Sequence, residues 1–155
     1  MTYEEKLAQR GYTIEPVALE AGKLVQAVRT GNLVFTSGQI PIQGSRSIKG
    51  KVGDDVSLDE AQEAARICAI NALRAIKTLV GSLENIQRVV KVFGMVNVAP
   101  GFEETPAVIN GCSELLIEIF GERGKHARSA VGMSLPLNYA VEIEMVVEVT
   151  SPPPP

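Results

Sequence analysis

The stretch ARSAVGMSLPLNYAVEIEMVVEV, residues 127–149, decides the fold because it contains two strands joined by a turn. Over residues 141–149 apolar side chains alternate with mainly polar ones, among them Glu142 and Glu144, and such alternation predicts a strand with one face toward a core. Arg128 begins the preceding strand. Where a guanidinium lies beside a carboxylate, the first can bind a small anion and the second can accept or donate a proton. The alternative is a solvated strand face with an incidental arginine.

Two long helices are predicted upstream of this stretch. The sequence SLDE at residues 57–60 is a capping box, in which a serine and a glutamate satisfy each other's backbone N–H groups, and the helix that it begins should run to about Val80. Alanines at positions 61, 64, 65, 69, 72 and 75 allow this helix to lie close against a sheet. The second helix should begin with Thr105 as its N-cap and end at Phe120.

The remaining segments predict strands, a short helix and a tail. Strands are expected at about 24–29, 32–37, 88–98, 128–134 and 140–149, the first two joined by a tight turn at Gly31-Asn32. Residues 42–56, rich in Gly, Ser and Lys, have room for one more short strand. The expected organisation is an N-terminal helical extension on the surface over residues 1–20, one domain over 21–150 and a disordered proline tail over 151–155.

The strand predicted at 88–98 is apolar on both faces. Its alternation places Val90, Val92, Val96 and Val98 on one side, and Val89, Phe93 and Met95 on the other. Two helices readily cover only one face of a sheet, so the second apolar face needs a partner. We therefore expect an oligomer.

Composition excludes several classes of function. The chain has 155 residues, enough for one domain with a real core, and 45% of them are hydrophobic. A net charge of −3, no tryptophan and 5% aromatic residues leave little material for a nucleic-acid surface. No segment approaches the roughly 20 apolar residues that span a bilayer, and the N-terminus lacks the pattern of a signal peptide. We expect a cytoplasmic protein with neither nucleic-acid nor membrane partners.

Two cysteines and one histidine leave no ordinary metal site. Cys68 and Cys112 each fall in step with the apolar face of a predicted helix, so both are expected to be buried thiols. His126 lies in a polar loop, where a solvated histidine is the default. Its position two residues before Arg128 leaves the alternative that it lines a site.

Four segments together resemble the RidA (YjgF) family of small trimeric proteins. They are Thr36-Ser37-Gly38-Gln39-Ile40-Pro41, the hairpin Val25–Phe35, Ile109-Asn110 with Glu114, and Arg128-Ser129 followed by Glu142-Ile143-Glu144. The segments occur in the family's order and approximate spacing over residues 22–149. The resemblance implies a chorismate-mutase-like α+β fold, with a mixed, mainly antiparallel sheet and two helices packed on one face.

The resemblance also implies an assembly and an activity. Three subunits would pack their sheets into a central barrel, with the helices outside and a cleft at each interface. In that cleft the family hydrolyses reactive 2-imino or 2-enamino acids to 2-keto acids and ammonia, without cofactor or metal. Arg128 matches the arginine that binds the substrate carboxylate, and Glu142 matches the carboxylate that positions the attacking water and moves protons.

Other family positions would shape the same cleft. Backbone groups near Gly38 and Ala130 would orient the substrate, and Ser37 and Asn110 match auxiliary polar positions. Simpler roles remain open for the last two: Ser37 could cap a strand end, and Asn110 could lie on an exposed helix flank or bond a neighbouring loop. Glu142 could likewise pair with a surface lysine.

Two positions depart from the best-studied deaminases of the family. Leu24 stands where they carry a tyrosine, which removes a phenolic hydroxyl and a flat wall from the cleft. Ala130 replaces their cysteine but keeps its backbone N–H. Three functions therefore stay open: an imine deaminase, a non-catalytic trimer that binds small carboxylates or regulates a partner, and an endoribonuclease or translation inhibitor. The acidic balance disfavours the third.

Overall fold

A computed structural model describes residues 1–151, in which two long helices cover one face of a five-stranded sheet. The helices are α1 (Tyr3–Gln9), α2 (Leu58–Val80) and α3 (Thr105–Phe120). The strands are β1 (Glu20–Ala21), β2 (Leu24–Val25), β3 (Ala27–Thr30), β4 (Leu33–Thr36), β5 (Ile42–Gln43), β6 (Arg46–Ser47), β7 (Ile86–Asn97), β8 (Ala127–Met133) and β9 (Val141–Val149). The main sheet has the order β3-β4-β9-β7-β8 and is antiparallel except for the pair β7–β8. The α+β architecture predicted from the sequence is confirmed.

Helix α2 begins as the sequence predicts. The Ser57 hydroxyl accepts a hydrogen bond from the backbone N–H of Glu60, and the Glu60 carboxylate accepts one from the backbone N–H of Ser57. The six alanines of α2 are at most 1% exposed, so the helix lies close to its neighbours. Cys68 of α2 and Cys112 of α3 are fully buried, as expected.

Helix α3 begins one residue earlier than the sequence predicts. Glu104 occupies the N-cap and makes no side-chain cap, so the assignment of Thr105 as N-cap is wrong. The Thr105 hydroxyl instead donates to the carbonyl oxygen of Ala130 at 3.0 Å. This bond joins the start of α3 to strand β8, and it uses the hydroxyl that a helix cap would have needed.

The predicted hairpin forms, but its first strand is divided. Thr30 pairs with Leu33 across a two-residue turn in which Gly31 has a φ of 57°, a conformation that glycine adopts without strain. The sequence predicts one strand over 24–29, whereas β2 pairs with β1 and β3 pairs with β4. The break falls at Gln26, whose N–H donates to the Leu19 carbonyl. Residues 42–47 form the further strand pair β5–β6.

Strand β7 contains a bulge that changes its facing pattern. Val89 lies opposite Val147 and Val92 opposite Met145. One residue of β9 separates Val147 from Met145 but two residues of β7 separate Val89 from Val92, so one residue of β7 is extra. Val89 and Val92 are both fully buried on the helix-covered face. The prediction that Val89 faces the opposite side to Val92 is therefore wrong.

The N-terminal segment packs into the core instead of lying on the surface as predicted. Leu7 of α1 is fully buried, and Tyr12 and Ile14 belong to the same core cluster as α2 and α3. The ring of Tyr3 packs in a tilted arrangement against that of Phe120, with centroids 4.5 Å apart. Of the predicted proline tail, residues 152–155 lie outside the described residues.

The second face of the sheet carries exposed apolar side chains. We call it the open face and define it by four residues that are 37–50% exposed: Val28, Leu33, Phe35 and Val131. Phe93 and Glu142 lie on the same face, because the register places them opposite Ser129 and Met95 and out of the helix-covered core. No helix among residues 1–151 has the length and apolar character needed to cross a membrane.

Candidate functional site

Arg128 lies at the sheet edge under helix α3. It is opposite Val92 on β7, which is buried under the helices, so its side chain points to the helix-covered face. Its Nη1 donates to Asn110 Oδ1 at 2.8 Å and to Ser113 Oγ at 3.1 Å. Within residues 1–151 its Nε and Nη2 donate to no protein acceptor. These two nitrogens form one edge of the guanidinium, and this edge can bind a carboxylate with two parallel hydrogen bonds.

His126 and Ser113 continue the hydrogen-bond network behind Arg128. His126 Nδ1 lies 2.6 Å from the Gly124 carbonyl oxygen and therefore donates to it, since a carbonyl only accepts. In the neutral ring Nε2 then accepts the Ser113 hydroxyl proton, across 2.9 Å. Burial, followed by the charge of Arg128, lowers the pKa of His126. The expectation of a solvated loop histidine is wrong: His126 lines the site.

Arg128 opens into a surface cavity of about 380 Å³. The cavity is lined by Asn110, Ser113, Glu114, Ile117, Lys125, His126 and Arg128. Lys125 is an exposed residue and forms an ion pair with Glu122 at 2.7 Å. Arg128 forms no ion pair within residues 1–151, so its positive charge is available to a bound anion.

Glu142 lies on the open face and packs against Gly38. A Cβ atom on Gly38 would lie 2.9 Å from Glu142 Cδ and 3.1 Å from Cγ, closer than ordinary contact. The absence of a side chain at Gly38 thus gives the Glu142 carboxyl its position. Burial, and next the charge of Glu144, raises the pKa of Glu142 above its usual value. A carboxyl with a raised pKa exchanges protons more readily near neutral pH.

Arg128 and Glu142 do not meet within this chain. Arg128 shares the helix-covered side with Val92, whereas Glu142 is opposite Met95, three residues further along β7 and on the other side. The sequence expectation of a guanidinium beside the carboxylate row is therefore wrong for a single chain. The two residues lie in separate clusters instead: Arg128 with Asn110 under α3, and Glu142 with Gly38 on the open face.

The other predicted positions have different roles in the structure. Ser37 donates to the Val25 carbonyl oxygen at 2.6 Å, so its hydroxyl joins the end of β4 to β2. Leu24, on β2, is 52% exposed. The Ala130 carbonyl accepts a hydrogen bond from the Thr105 hydroxyl, so it already has a partner within the chain. Asn110 bonds Arg128 directly, which favours its auxiliary role over that of a bystander on a helix flank.

Metal-binding clusters are absent from the part of the chain that the structure describes: no three His, Cys, Asp or Glu side chains there come together. Burial raises the pKa of Cys112 to about 12 and that of Cys68 well above its usual value. Both thiols therefore stay protonated and act as small apolar groups.

Sequence reasoning missed Ser113 and gave His126 a minor role. Ser113 lies three residues after Asn110 on α3, and residues so spaced share a helix face. His126 lies two residues before Arg128, and residues so spaced share the side of an extended chain. Both spacings were readable, but only the packing of α3 on β8 shows that the two pairs meet.

Comparisons with known proteins agree with this architecture. The family model described as "YjgF/chorismate_mutase-like, putative endoribonuclease" matches residues 4–149. "Protein TCP17" of Trypanosoma cruzi is 36% identical over 148 residues, which cover 94% of this chain and 92% of that protein.

Solved structures show the same fold. The protein Atu1372 from Agrobacterium tumefaciens, described as having unknown function, is 43% identical with a TM-score of 0.88, over 96% of this chain and 94% of that one. A "putative endoribonuclease" from Shewanella oneidensis is 30% identical with a TM-score of 0.90, over 96% and 100% of the two chains. TdcF of E. coli, solved with bound serine, is 26% identical with a TM-score of 0.57, over 88% and 94%. The chain belongs to the YjgF/chorismate-mutase-like family.

Proposed function

We propose that this protein hydrolyses reactive 2-imino or 2-enamino acids to 2-keto acids and ammonia, in a cleft between two subunits. The observation that carries the proposal is the free Nε/Nη2 edge of Arg128, which is held by Asn110 and Ser113 and opens into a cavity. A planar cation fixed in this way suits a substrate with a carboxylate next to the reacting carbon.

Glu142 supplies the proton transfers. As a carboxylate it accepts a proton from a water molecule whose oxygen bonds to the C=N carbon, and it passes that proton to the nitrogen, which gives a tetrahedral amino alcohol. The carboxylate then accepts the hydroxyl proton and passes it to the amino nitrogen, so that the C–N bond breaks, ammonia leaves and the carbonyl forms. The raised pKa of Glu142 favours both directions of transfer near neutral pH. No cofactor enters this reaction, because no electrons are exchanged with a carrier.

A homotrimer would bring the Arg128 cluster of one subunit to the Glu142 cluster of another. One protomer presents Arg128 at the edge strand β8 and Glu142 on the open face, so a second protomer must supply the other cluster. The exposed apolar side chains of the open face favour association, since a contiguous apolar surface is costly in water. The serine bound in the related TdcF structure supports a ligand that carries a carboxylate beside a nitrogen-bearing carbon.

The test is a coupled assay of ammonia and keto-acid release from freshly generated imino acids, with calorimetric titration of pyruvate. Arg128→Ala should weaken pyruvate binding about 30- to 1000-fold, as expected when a charge-assisted pair is lost, and Arg128→Lys should restore it only in part. Glu142→Gln should bind pyruvate normally and lose turnover. A folded, trimeric Arg128→Ala protein with near-normal binding and activity would place the site elsewhere.

The second candidate is a trimer that binds small carboxylates, or regulates a partner, without turnover. It is favoured by Leu24, which is exposed and cannot donate a hydrogen bond where the studied deaminases carry a tyrosine. Both candidate functions require Arg128 to bind a carboxylate, but only the hydrolysis requires Glu142. Pyruvate binding that depends on Arg128, with no ammonia release from any imino acid, would select this alternative.

A further inference from the structure

Ser113 and His126 form a chain of hydrogen bonds that ends on the side of Arg128 facing away from the free edge. Gly124 O accepts from His126 Nδ1, His126 Nε2 accepts from the Ser113 hydroxyl, and Ser113 Oγ accepts from Arg128 Nη1. A neutral, Nδ1-protonated imidazole satisfies this chain, because each donated hydrogen then has one acceptor.

We propose that Ser113 and His126 are positioning residues that hold Arg128 for an incoming carboxylate, and that carboxylate binding is coupled to protonation of His126. The proposal rests on the proposed function only in taking Arg128 as the carboxylate anchor. It concerns how the anchor is held, not whether the substrate is turned over.

The geometry explains why the chain would position Arg128. An arginine side chain has many rotamers, and contacts with neighbouring groups restrict it to one of them. Asn110 and Ser113 both accept from Nη1, on two successive turns of α3, so the guanidinium plane is held at two points. Ser113 is 8% exposed, and its hydroxyl is directed by His126, whose ring is fixed in turn by Gly124.

The coupling follows from charge. A protonated His126 would stand one hydroxyl group away from the guanidinium of Arg128, and the two positive charges would repel. A carboxylate bound on the Nε/Nη2 edge offsets that repulsion, so it should raise the pKa of His126. By reciprocity, carboxylate affinity should rise as the pH falls through the pKa of His126.

Two other charged residues, Lys125 and Glu114, line the same cavity as the imidazole. Lys125 precedes His126 in the chain but is paired with Glu122, and its carbonyl accepts from Arg88 of β7. Glu114 of α3 lines the same cavity and is exposed to solvent. Arg128 is the cation joined to His126 through a shared partner, so it should dominate the response.

The test uses the single histidine of the chain as a nuclear magnetic resonance probe. Nitrogen-15 shifts of the imidazole should show the Nδ1-protonated tautomer at neutral pH. Saturating pyruvate should move the His126 titration to higher pH in the wild type. Arg128→Ala should raise the pKa of His126 without ligand, because a neighbouring positive charge is lost, and should remove the pyruvate effect. The coupling is overturned if pyruvate binds through Arg128 but leaves the pKa of His126 in the wild type unchanged.

Binding variants test the positioning role. Ser113→Ala should weaken pyruvate binding about tenfold, whereas Ser113→Thr keeps the hydroxyl and should restore it. Ser82→Ala removes a hydroxyl that caps a different helical turn and serves as the control. Ser113→Ala with wild-type affinity, in a protein whose Arg128→Ala variant binds poorly, would overturn the proposal. Pyruvate binding that does not need Arg128 would overturn it as well, whereas Arg128-dependent binding without turnover would support it and contradict only the enzymatic function.

Discussion

Gly38→Ala is the sharpest test of how the structure places the Glu142 carboxyl. The added Cβ would lie 2.9 Å from Glu142 Cδ, and the nearer carboxylate oxygen would be closer still. Ordinary contact begins at 3.4 Å, so the carboxylate must retreat by about 1 Å, a displacement that can cost roughly a hundredfold in rate. At Gly38 the backbone has no positive φ, so alanine should be accommodated there without backbone strain.

We therefore expect a selective loss. The kcat for imino-acid hydrolysis should fall about a hundredfold, equivalent to about 2.7 kcal/mol in the activation free energy. Pyruvate affinity should be nearly unchanged, because Arg128 lies in the other cluster, away from Gly38. The free energy of unfolding should change by less than about 1 kcal/mol, since the displaced atoms end a flexible side chain.

The assay combines steady-state kinetics with a double-mutant cycle. If Gly38→Ala acts by displacing Glu142, it should cost little more once Glu142→Gln has removed the acid and base. The reasoning is refuted if Gly38→Ala turns over at the wild-type rate. It is refuted equally if the losses of the two single variants simply add in the double variant.

Four further predictions follow from particular residues. Since burial and the charge of Glu144 raise the pKa of Glu142, turnover should be lost as the pH falls through that raised pKa; Glu144→Gln should move this acidic limb to lower pH in a pH–rate profile, and an unmoved limb would show that another group titrates. Leu24→Tyr should raise activity on the smallest imino acids, and an unchanged substrate profile in a trimeric variant would remove position 24 from the cleft. Gly94→Ala, whose Cβ would press on Ile109, should lower the free energy of unfolding by about 1–3 kcal/mol in urea titrations; wild-type stability would mean that α3 can shift. Light scattering coupled to gel filtration should give three times the chain mass, and a monomer at micromolar concentration would rule out a site shared between subunits.

Local signals in the sequence predicted most of the secondary structure. The capping box at Ser57 begins α2 as expected, and the turn at Gly31-Asn32 joins the predicted hairpin. The alternation after Val141 correctly separates the buried and open faces of β9. These features depend on residues close together in the chain, whose geometry is set by backbone hydrogen bonds and side-chain periodicity.

Which side chains of β7 point to the helices could not be predicted in the same way. Its bulge follows from the pairing with β9, in which Val89 and Val92 both find buried partners. A period-two count assumes an unbroken ladder, so one extra residue reverses the assignment beyond it. The burial of Leu7 was not predicted for a related reason. The sequence of a seven-residue helix does not show where its one buried side chain packs, because that depends on the surrounding core.

The sequence by itself determined the α+β class, the two long helices, the buried thiols and the identity of the candidate anchor, Arg128, and carboxyl, Glu142. Only the tertiary structure decided that these two side chains face opposite sides of the sheet, and that Ser113 and His126 stand behind Arg128. The physical reason is register. Which residues meet across strands and between helix and sheet depends on how distant segments bury their apolar faces together, and a shift of one position moves a side chain to the other face.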